Sequence, residues 1–250
     1  MPGSRAPVRP LTELSRLLLP VACPCGVPDV RWCARCAARF AAAPVRVEHG
    51  AGRLDRVDAV APLPVWALTA YTGRVRDVVV HWKDRGRADL DRPLGAAARR
   101  GAARLAPLLA AALAELGPAT SLAVVPVPAS AAARRRRGRD PVAALAGGVA
   151  AGLRAGGVRA RVAPVLRRRA TRDQVGLGAR ARGRNLASAV RAVHPLDALV
   201  CLLVDDVLTS GATLATSERA LETAGASVLG ATVLAATPPP GATTGDERMC

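Results

Sequence analysis

Two adjacent carboxylates followed by small and hydroxyl-bearing residues mark the chemically most specific segment of this sequence. Asp205 and Asp206 come directly after the apolar run 199–204, and residues 209–213 (Thr-Ser-Gly-Ala-Thr) lead into a stretch with helical spacing. The first backbone N–H groups of a helix have no partner within it and lie at the positive end of its dipole. We therefore expect a strand that ends at the carboxylates, then a turn that binds an anion, then a helix.

The residue types in this segment indicate which anion would fit. Hydroxyl groups can donate to a phosphate, and a glycine lets the backbone approach it closely. The carboxylates cannot bind a phosphate, but they can accept hydrogen bonds from vicinal ribose hydroxyls, so the predicted ligand is a sugar 5′-phosphate. The predicted site residues are Asp205, Asp206, Thr209, Ser210, Gly211, Ala212 and Thr213. The alternative is a helix N-cap with acidic residues that complement the dipole, which explains one Asp and one Thr but not the whole order.

Four cysteines form a second group with chemical potential: Cys23, Cys25, Cys33 and Cys36 fall within one short stretch. Cys33 and Cys36 form a C-x₂-C pair, and Cys23 and Cys25 form a C-x-C pair. Four thiolates suit a tetrahedral structural zinc, which would supply folding energy to a lobe with little core of its own. A metal-free head and a redox role remain alternatives. Cys201 lies inside an apolar run and is predicted to be a buried thiol.

The charge of the chain indicates its partners. The formal net charge is +17, from 36 basic and 19 acidic residues, and Lys83 is the only lysine. A surface this basic attracts nucleic acid, phosphorylated substrates or acidic partners, although a merely soluble basic surface is the alternative. One arginine cluster is 134–137 with Arg139. The other comprises Arg167, Arg168, Arg169, Arg172, Arg180, Arg182 and Arg184. Either cluster can line a binding face or simply face solvent.

The order of apolar and polar runs predicts alternating strands and helices. Strands are expected within 57–69 and at 122–127, 158–166, 199–204 and 227–235; helices are expected at 74–82, 90–116 and 212–224, with a helix-prone run up to about residue 154. This alternation is typical of a parallel α/β sheet. No apolar run is long enough for a membrane segment or a signal, so a cytoplasmic protein is expected.

Several blocks together resemble a known family. The acidic pair with Thr-Ser-Gly-Ala-Thr resembles the signature of type I phosphoribosyltransferases. Further blocks resemble the ComF (competence protein F) family. They are Tyr-Thr-Gly-Arg-Val-Arg at 71–76, Trp-Lys-Asp-Arg-Gly at 82–86, Val-Val-Pro-Val-Pro at 124–128 and Arg-Asp-Gln-Val-Gly-Leu at 172–177, with Arg180 and Arg-Asn-Leu at 184–186. The order of the blocks covers most of the chain.

This resemblance implies a fold, a ligand and a division into domains. The fold would be a type I phosphoribosyltransferase-like parallel sheet flanked by helices at 53–236, after a Cys-rich zinc-finger-like head at 1–45 and before a disordered tail at 237–250. The ligand would be phosphoribosyl pyrophosphate with Mg²⁺. Asp205 and Asp206 would hold the ribose hydroxyls, residues 209–213 the 5′-phosphate, and Val127, Pro128, Ala129 and Ser130 the pyrophosphate side. Lys83 is a further substrate-binding candidate, although its retention by chance is an alternative.

Two functions of different classes are compatible with these residues. The ComF resemblance implies a protein of DNA uptake or processing that binds single-stranded DNA and works with DNA-processing proteins. The alternative is a Mg²⁺-dependent phosphoribosyltransferase that acts on a nitrogen nucleophile. The family has Arg-Gly-Phe-Asn-Gln where this chain has Arg137, Gly138, Arg139, Asp140 and Pro141. The missing aromatic and amide side chains favour the first function.

Overall fold

The computed structural model describes residues 21–54, 61–117, 119–168 and 190–239. Its strands are β1 (Val45–Arg46), β2 (Val65–Ala70), β3 (Leu122–Pro126), β4 (Ala160–Val162), β5 (Leu166–Arg168), β6 (Val190–Ala192), β7 (Val200–Leu208) and β8 (Ser227–Ala236). Six of them form one sheet in the order β1-β2-β8-β7-β3-β4, in which only β1 runs antiparallel to its neighbour. β5 and β6 form a separate antiparallel pair. The expected α/β architecture with a mostly parallel sheet is confirmed.

The described residues form six helices: α1 (Ala34–Arg39), α2 (Gly73–Lys83), α3 (Asp91–Leu116), α4 (Ala131–Arg137), α5 (Pro141–Ala155) and α6 (Ala212–Thr223). Short 3₁₀ turns cover Glu48–Gly50 and Ala88–Leu90. Local chemistry sets several of the ends. The Asp140 side chain caps α5 by accepting the N–H of Ala143, and Pro141 fills its first turn. α3 stops at Gly117, which has a positive φ.

The core consists of two clusters, one on each face of the sheet. Leu202 and Val204 of β7 belong to the cluster that includes α2, α3 and α5, whereas Cys201 and Leu203 belong to the cluster that includes α6. This division follows from the alternation of side chains along a strand. Cys201 is completely buried, as predicted.

Close backbone packing joins α3 to α5 on the first face. Gly148 and Gly152 lie one turn apart on α5, and a Cβ atom at Gly152 would lie 2.1 Å from the carbonyl oxygen of Arg99. A Cβ atom at Gly148 would lie 2.4 Å from the carbonyl oxygen of Gly95. These glycines let two helices that are rich in alanine bury their faces without large side chains.

Three predicted elements differ from the observed ones. β7 does not end at the acidic pair but continues through it to Leu208, because this stretch still pairs with β8. The helix-prone run divides into α4 and α5, because Gly138 adopts a left-handed conformation with φ 64°. The single strand expected at 158–166 is β4 followed by the first residue of β5, and these belong to different sheets.

The cysteine-rich segment packs on the body of the chain. Cys23, Cys36 and Phe40 are buried in the same cluster as α2 and α3. The guanidinium group of Arg87 donates to the carbonyl oxygens of Ala22, at 2.8 Å, and Arg31, at 3.0 Å. These contacts tie the segment to the turn between the two helices.

Some predictions fall outside the described residues. They concern the first part of the head (1–20), the second arginine cluster from Arg169 onward with the ComF-like blocks at 172–186, and the tail from 240. Where the tail begins, the N–H of Thr237 donates to the carbonyl oxygen of Leu208 at 2.8 Å. Within the described ranges, no helix is long and apolar enough to span a membrane.

Candidate functional site

A pocket of about 400 Å³ opens where the carboxyl ends of β2, β3 and β7 meet. In parallel α/β sheets this edge is where ligands bind. The pocket brings together predicted residues from three separate parts of the chain, namely Lys83, Val127, Pro128, Ala129, Ser130, Asp205, Asp206, Thr209 and Thr213. Ser210, Gly211 and Ala212 do not line it. A pocket of this size suits a small-molecule ligand.

The two carboxylates lie inside β7 rather than after it. The N–H of Asp206 donates to Oδ1 of Asp205 at 2.8 Å, and the N–H of Val207 donates to Oδ1 of Asp206 at 2.9 Å. Neither caps α6, whose N-cap is Gly211 and has no side-chain cap. The N-cap interpretation of the acidic pair is therefore wrong.

Lys83, the last residue of α2, joins the acidic pair. Its ammonium group forms an ion pair with Oδ2 of Asp206, a buried oxygen that has no other partner among the described residues. Burial lowers the pKa of Lys83, but the charge of Asp206 outweighs it and the pKa lies above its ordinary value. Asp206 is only 2% exposed, so Lys83 supplies the charge that makes its burial tolerable.

Asp205 is in a different electrostatic position from its neighbour. Burial of the carboxyl group and the charge of Asp206 raise its pKa well above the ordinary value, and the charge of Lys83 only partly opposes them. The residue as a whole is half-buried and lines the pocket. Two adjacent carboxylates that share one cation are prepared to accept hydrogen bonds from a polyhydroxyl ligand or to bind a cation.

The turn after β3 forms a second wall of the pocket. The N–H of Val127 donates to the carbonyl oxygen of Val204 at 2.9 Å, which holds the turn against β7. Ser130 is the N-cap of α4, and its Oγ accepts the N–H of Ala133 at 3.2 Å. The hydroxyl hydrogen of Ser130 therefore remains able to donate to a ligand.

The loop before α6 is held in place by contacts with Arg53 and Leu54. Gly211 has φ 80°, and a Cβ atom there would lie 2.6 Å from Cγ of Leu54. The N–H of Arg53 donates to the carbonyl oxygen of Ser210 at 3.1 Å. Glycine is thus required both by the backbone conformation and by the packing of Leu54, a reason that is invisible in the sequence. Thr209 and Thr213, on either side, line the pocket.

Sequence reasoning did not single out several residues that also line the pocket: Tyr71, Asp84, Arg137, Asp140 and Arg168. Tyr71 directly follows β2, so the rule that ligands lie at carboxyl ends of strands could have identified it. The sequence placed Arg137 in an arginine run and at the start of the stretch compared with the family's Arg-Gly-Phe-Asn-Gln block, but did not predict it as a site residue. Its Nη2 donates to Oδ1 of Asp84 at 2.8 Å, a contact between distant parts of the chain.

The four cysteines of the head form a separate cluster. The ligand atoms of Cys23, Cys25, Cys33 and Cys36 all lie within 4.8 Å of one another. The Sγ atoms of Cys23 and Cys36 are 3.6 Å apart, as are those of Cys25 and Cys33. These thiols are free, and their separations are far longer than a disulfide bond of about 2.05 Å. A Zn–S distance of about 2.3 Å places tetrahedral sulfur ligands about 3.8 Å apart, so the cluster fits zinc.

Backbone hydrogen bonds prepare this cluster for a metal. The N–H of Cys36 donates to Sγ of Cys33, and the N–H of Cys33 donates to Sγ of Cys23, both at 3.4 Å. Burial opposes ionisation of Cys33, but the Cys36 N–H and the neighbouring thiols lower its pKa to about 7. Burial raises the pKa values of Cys23 and Cys36. A bound metal would displace the protons of these thiols. The prediction that the four cysteines come together is confirmed.

Comparisons with known proteins add no family. No protein-family model matches the chain, and no curated protein matches it. The functional interpretation therefore depends on the motifs and on the geometry of the two sites.

Proposed function

We propose that the pocket binds a ribose 5-phosphate ligand, with phosphoribosyl pyrophosphate as the best candidate, in a type I phosphoribosyltransferase-like fold related to the ComF family. A single observation carries this proposal: the acidic pair, the turn at Val127–Ser130, the threonines beside the glycine loop and Lys83 all line one cavity. The local order Asp-Asp–Thr-Ser-Gly-Ala-Thr supports a sugar phosphate over other small anions.

The roles of the residues follow from their chemistry. Asp205 and Asp206 accept hydrogen bonds from the ribose hydroxyls. Thr209 and Thr213, with the N-terminus of α6, bind the 5′-phosphate through hydroxyl and N–H donors. Lys83 lies close enough to Asp206 to contact the ligand at the same time, and its point charge suits a phosphate oxygen.

Mg²⁺ fits this pocket because of its charge balance. Four carboxylates line it, from Asp84, Asp140, Asp205 and Asp206, against three cations, from Lys83, Arg137 and Arg168. A polyphosphate would meet excess negative charge there, and Mg²⁺ prefers oxygen ligands from carboxylates together with substrate phosphates. When bound, the ion would neutralise the diphosphate group.

We favour a ligand-binding role in DNA uptake or processing over transfer chemistry. Arg139, where the family has its aromatic residue, is turned into the body of the protein: it forms an ion pair with Asp91 and lies over the ring of Trp82. In the enzyme alternative, the bond from C1′ to the diphosphate oxygen breaks, a bond from C1′ to nitrogen forms, and the nitrogen loses a proton. Transfer of this kind would also need a binding surface for the second substrate. Arg139 does not supply one, because its side chain contacts Asp91 and Trp82.

A single-stranded DNA partner is compatible with the exposed arginines beside the pocket. Arg134, Arg135 and Arg136 on α4 are exposed, as is Arg167 on β5. Such side chains contact phosphates in a salt-dependent way. We further propose that the cysteine cluster binds a structural Zn²⁺ and that the protein is cytoplasmic, where its thiols stay reduced.

The proposal is tested by titrating the purified protein with phosphoribosyl pyrophosphate plus Mg²⁺, with ribose 5-phosphate, and with labelled single-stranded DNA. We expect the wild type to bind both sugar phosphates and the double variant Asp205→Asn/Asp206→Asn to bind them at least about tenfold more weakly, since hydrogen bonds to charged groups are worth about 1.5–3 kcal/mol. Asp77→Asn is the control, because Asp77 is exposed on α2 and does not line the pocket.

Each outcome separates the hypotheses. Failure of the wild type to bind either sugar phosphate overturns the proposal. Release of pyrophosphate in the presence of an amine or a nucleobase would establish the enzyme alternative. DNA binding that survives the double Asn substitution would place the DNA on the arginines instead of in the pocket.

A further inference from the structure

Arg137 differs from the other arginines of its run. Arg134, Arg135 and Arg136 are exposed, whereas the side chain of Arg137 is only 13% exposed and lines the pocket. The left-handed Gly138 ends α4 directly after it. A run that reads as one basic patch in the sequence is thus divided by the fold into three solvent-facing side chains and one pocket-facing side chain.

Two nitrogens of the Arg137 guanidinium group differ in their hydrogen bonding: Nη2 has a partner and Nε has none among the described residues. Nη2 donates to Oδ1 of Asp84 at 2.8 Å. Nε is buried and donates to nothing in the described structure. Two buried side-chain atoms in the described ranges make no conventional hydrogen bond, Arg137 Nε and Asp206 Oδ2, and both belong to residues that line this pocket. Asp206 Oδ2 is compensated by its ion pair with the Lys83 ammonium group, so Arg137 Nε is the one left without a partner in those ranges.

Buried polar groups in native proteins nearly always have partners, so an orphan donor calls for an explanation. A buried N–H donor without a partner, at a residue that lines a cavity, is complementary to a ligand that brings an acceptor there. An oxyanion is the acceptor that a guanidinium group binds most strongly.

We propose that Arg137 is a ligand-binding residue, whose Nε–H donates to a second anionic group of the ligand. This inference rests on the proposed function, and it narrows the ligand class. Thr209 and Thr213 precede and begin α6, whereas Arg137 ends α4 and is held by Asp84, next to Lys83. A sugar phosphate that reaches both places carries anionic groups at both ends, as phosphoribosyl pyrophosphate does and ribose 5-phosphate does not.

Asp84 is then a positioning residue. Its side chain is half exposed, and it holds Nη2 of Arg137 so that Nε remains for the ligand. An arginine supplies five N–H donors in a fixed plane, so some can be held by the protein while another binds an oxyanion. A lysine at this position would have to exchange one partner for the other.

The test compares two ligands and two charge-matched variants. Arg137→Met should bind phosphoribosyl pyrophosphate with Mg²⁺ about tenfold or more weakly, the loss expected for one hydrogen bond to a charged group, and should bind ribose 5-phosphate within about threefold of the wild type. Arg100→Met removes the same charge from an exposed position on α3 and should leave both affinities unchanged.

A second set of variants guards against misfolding. Arg137→Lys keeps the charge and should still lose affinity for phosphoribosyl pyrophosphate, and Asp84→Asn should show a smaller loss. If Arg137→Met binds phosphoribosyl pyrophosphate as well as Arg100→Met does, or loses both ligands equally, the assignment of Arg137 is overturned while the proposed function stands. If the wild type binds neither ligand, the proposed function itself fails.

Discussion

Lys83 neutralises Asp206 through a direct ion pair, and Asp205, the next carboxylate along the strand, forms no ion pair with any described residue. The pocket therefore contains, side by side, one carboxyl group with an ion-pair partner among the described residues and one without. Such an arrangement costs stability in the free protein and suits a site that is completed by a ligand.

Replacement of Asp205, the carboxylate without an ion pair, should stabilise the free protein. Burial and the charge of Asp206 raise the pKa of Asp205, so the folded state binds this proton more tightly than the unfolded chain. The stability of the wild type then decreases as pH rises from about the ordinary value of 3.8 through the raised pKa. Asp205→Asn removes this penalty, and we expect a gain of about 1 kcal/mol at pH 7 that shrinks towards pH 4. Urea unfolding at the two pH values measures it.

Asp206→Asn is the matched control for this prediction. It removes the partner of Lys83 and should destabilise the protein by about 1–3 kcal/mol at pH 7 rather than stabilise it. If both Asn variants shift the unfolding midpoint in the same direction, the assignment of different electrostatic roles to Asp205 and Asp206 is wrong.

A buried carboxylate near the glycine loop, Glu48, predicts a loss of stability in acid. Glu48 is 1% exposed; burial opposes its ionisation, but hydrogen bonds from Arg46 and from the N–H of Val65 lower its pKa from 4.5 to about 2. The stabilisation is thus fully present above pH 4.5 and is lost as pH falls to about 2. Glu48→Gln should cost about 1–3 kcal/mol at pH 7 and almost nothing near pH 2. An equal cost at both pH values would contradict this account.

Two glycines on α5, Gly147 and Gly152, should show opposite changes in stability when each is replaced by alanine. Gly152→Ala places a methyl group 2.1 Å from the Arg99 carbonyl oxygen and should destabilise the protein by about 1–3 kcal/mol. Gly147→Ala meets no atom within 4 Å and should stabilise the protein by about 0.5–1 kcal/mol through helix propensity. Thermal melting of both variants checks the packing of α3 on α5. Similar losses of stability in the two variants would contradict this packing.

The cysteine cluster should hold one zinc per chain, and removal of the metal should lower the melting temperature. Because Cys23 and Cys36 share a core cluster with α2 and α3, the loss should extend beyond the head. Cys36→Ser should lose the metal, whereas Cys201→Ala, at a cysteine in the opposite core cluster, should retain it. Metal analysis of carefully purified protein is decisive. Well under one equivalent of zinc per chain in the wild type would overturn the zinc assignment.

Much of the architecture is readable from local patterns. The helices at 73–83 and 91–116, and the strand–loop–helix around Asp205, were expected within a few residues, because spacing, glycines and capping residues act over a few positions. The end of β7 was missed, because pairing with β8, and not the residue types, carries the strand through two carboxylates.

By itself, the sequence determined the alternating α/β order, the grouping of four cysteines and the acidic pair followed by a glycine loop. Only the tertiary structure decided that Lys83 pairs with Asp206, that Leu54 packs against Gly211, and that Arg137 enters the pocket while its neighbours face solvent. The physical reason is the same in each case. These contacts join residues far apart in the chain, and the sheet order, which no local pattern specifies, brings them together.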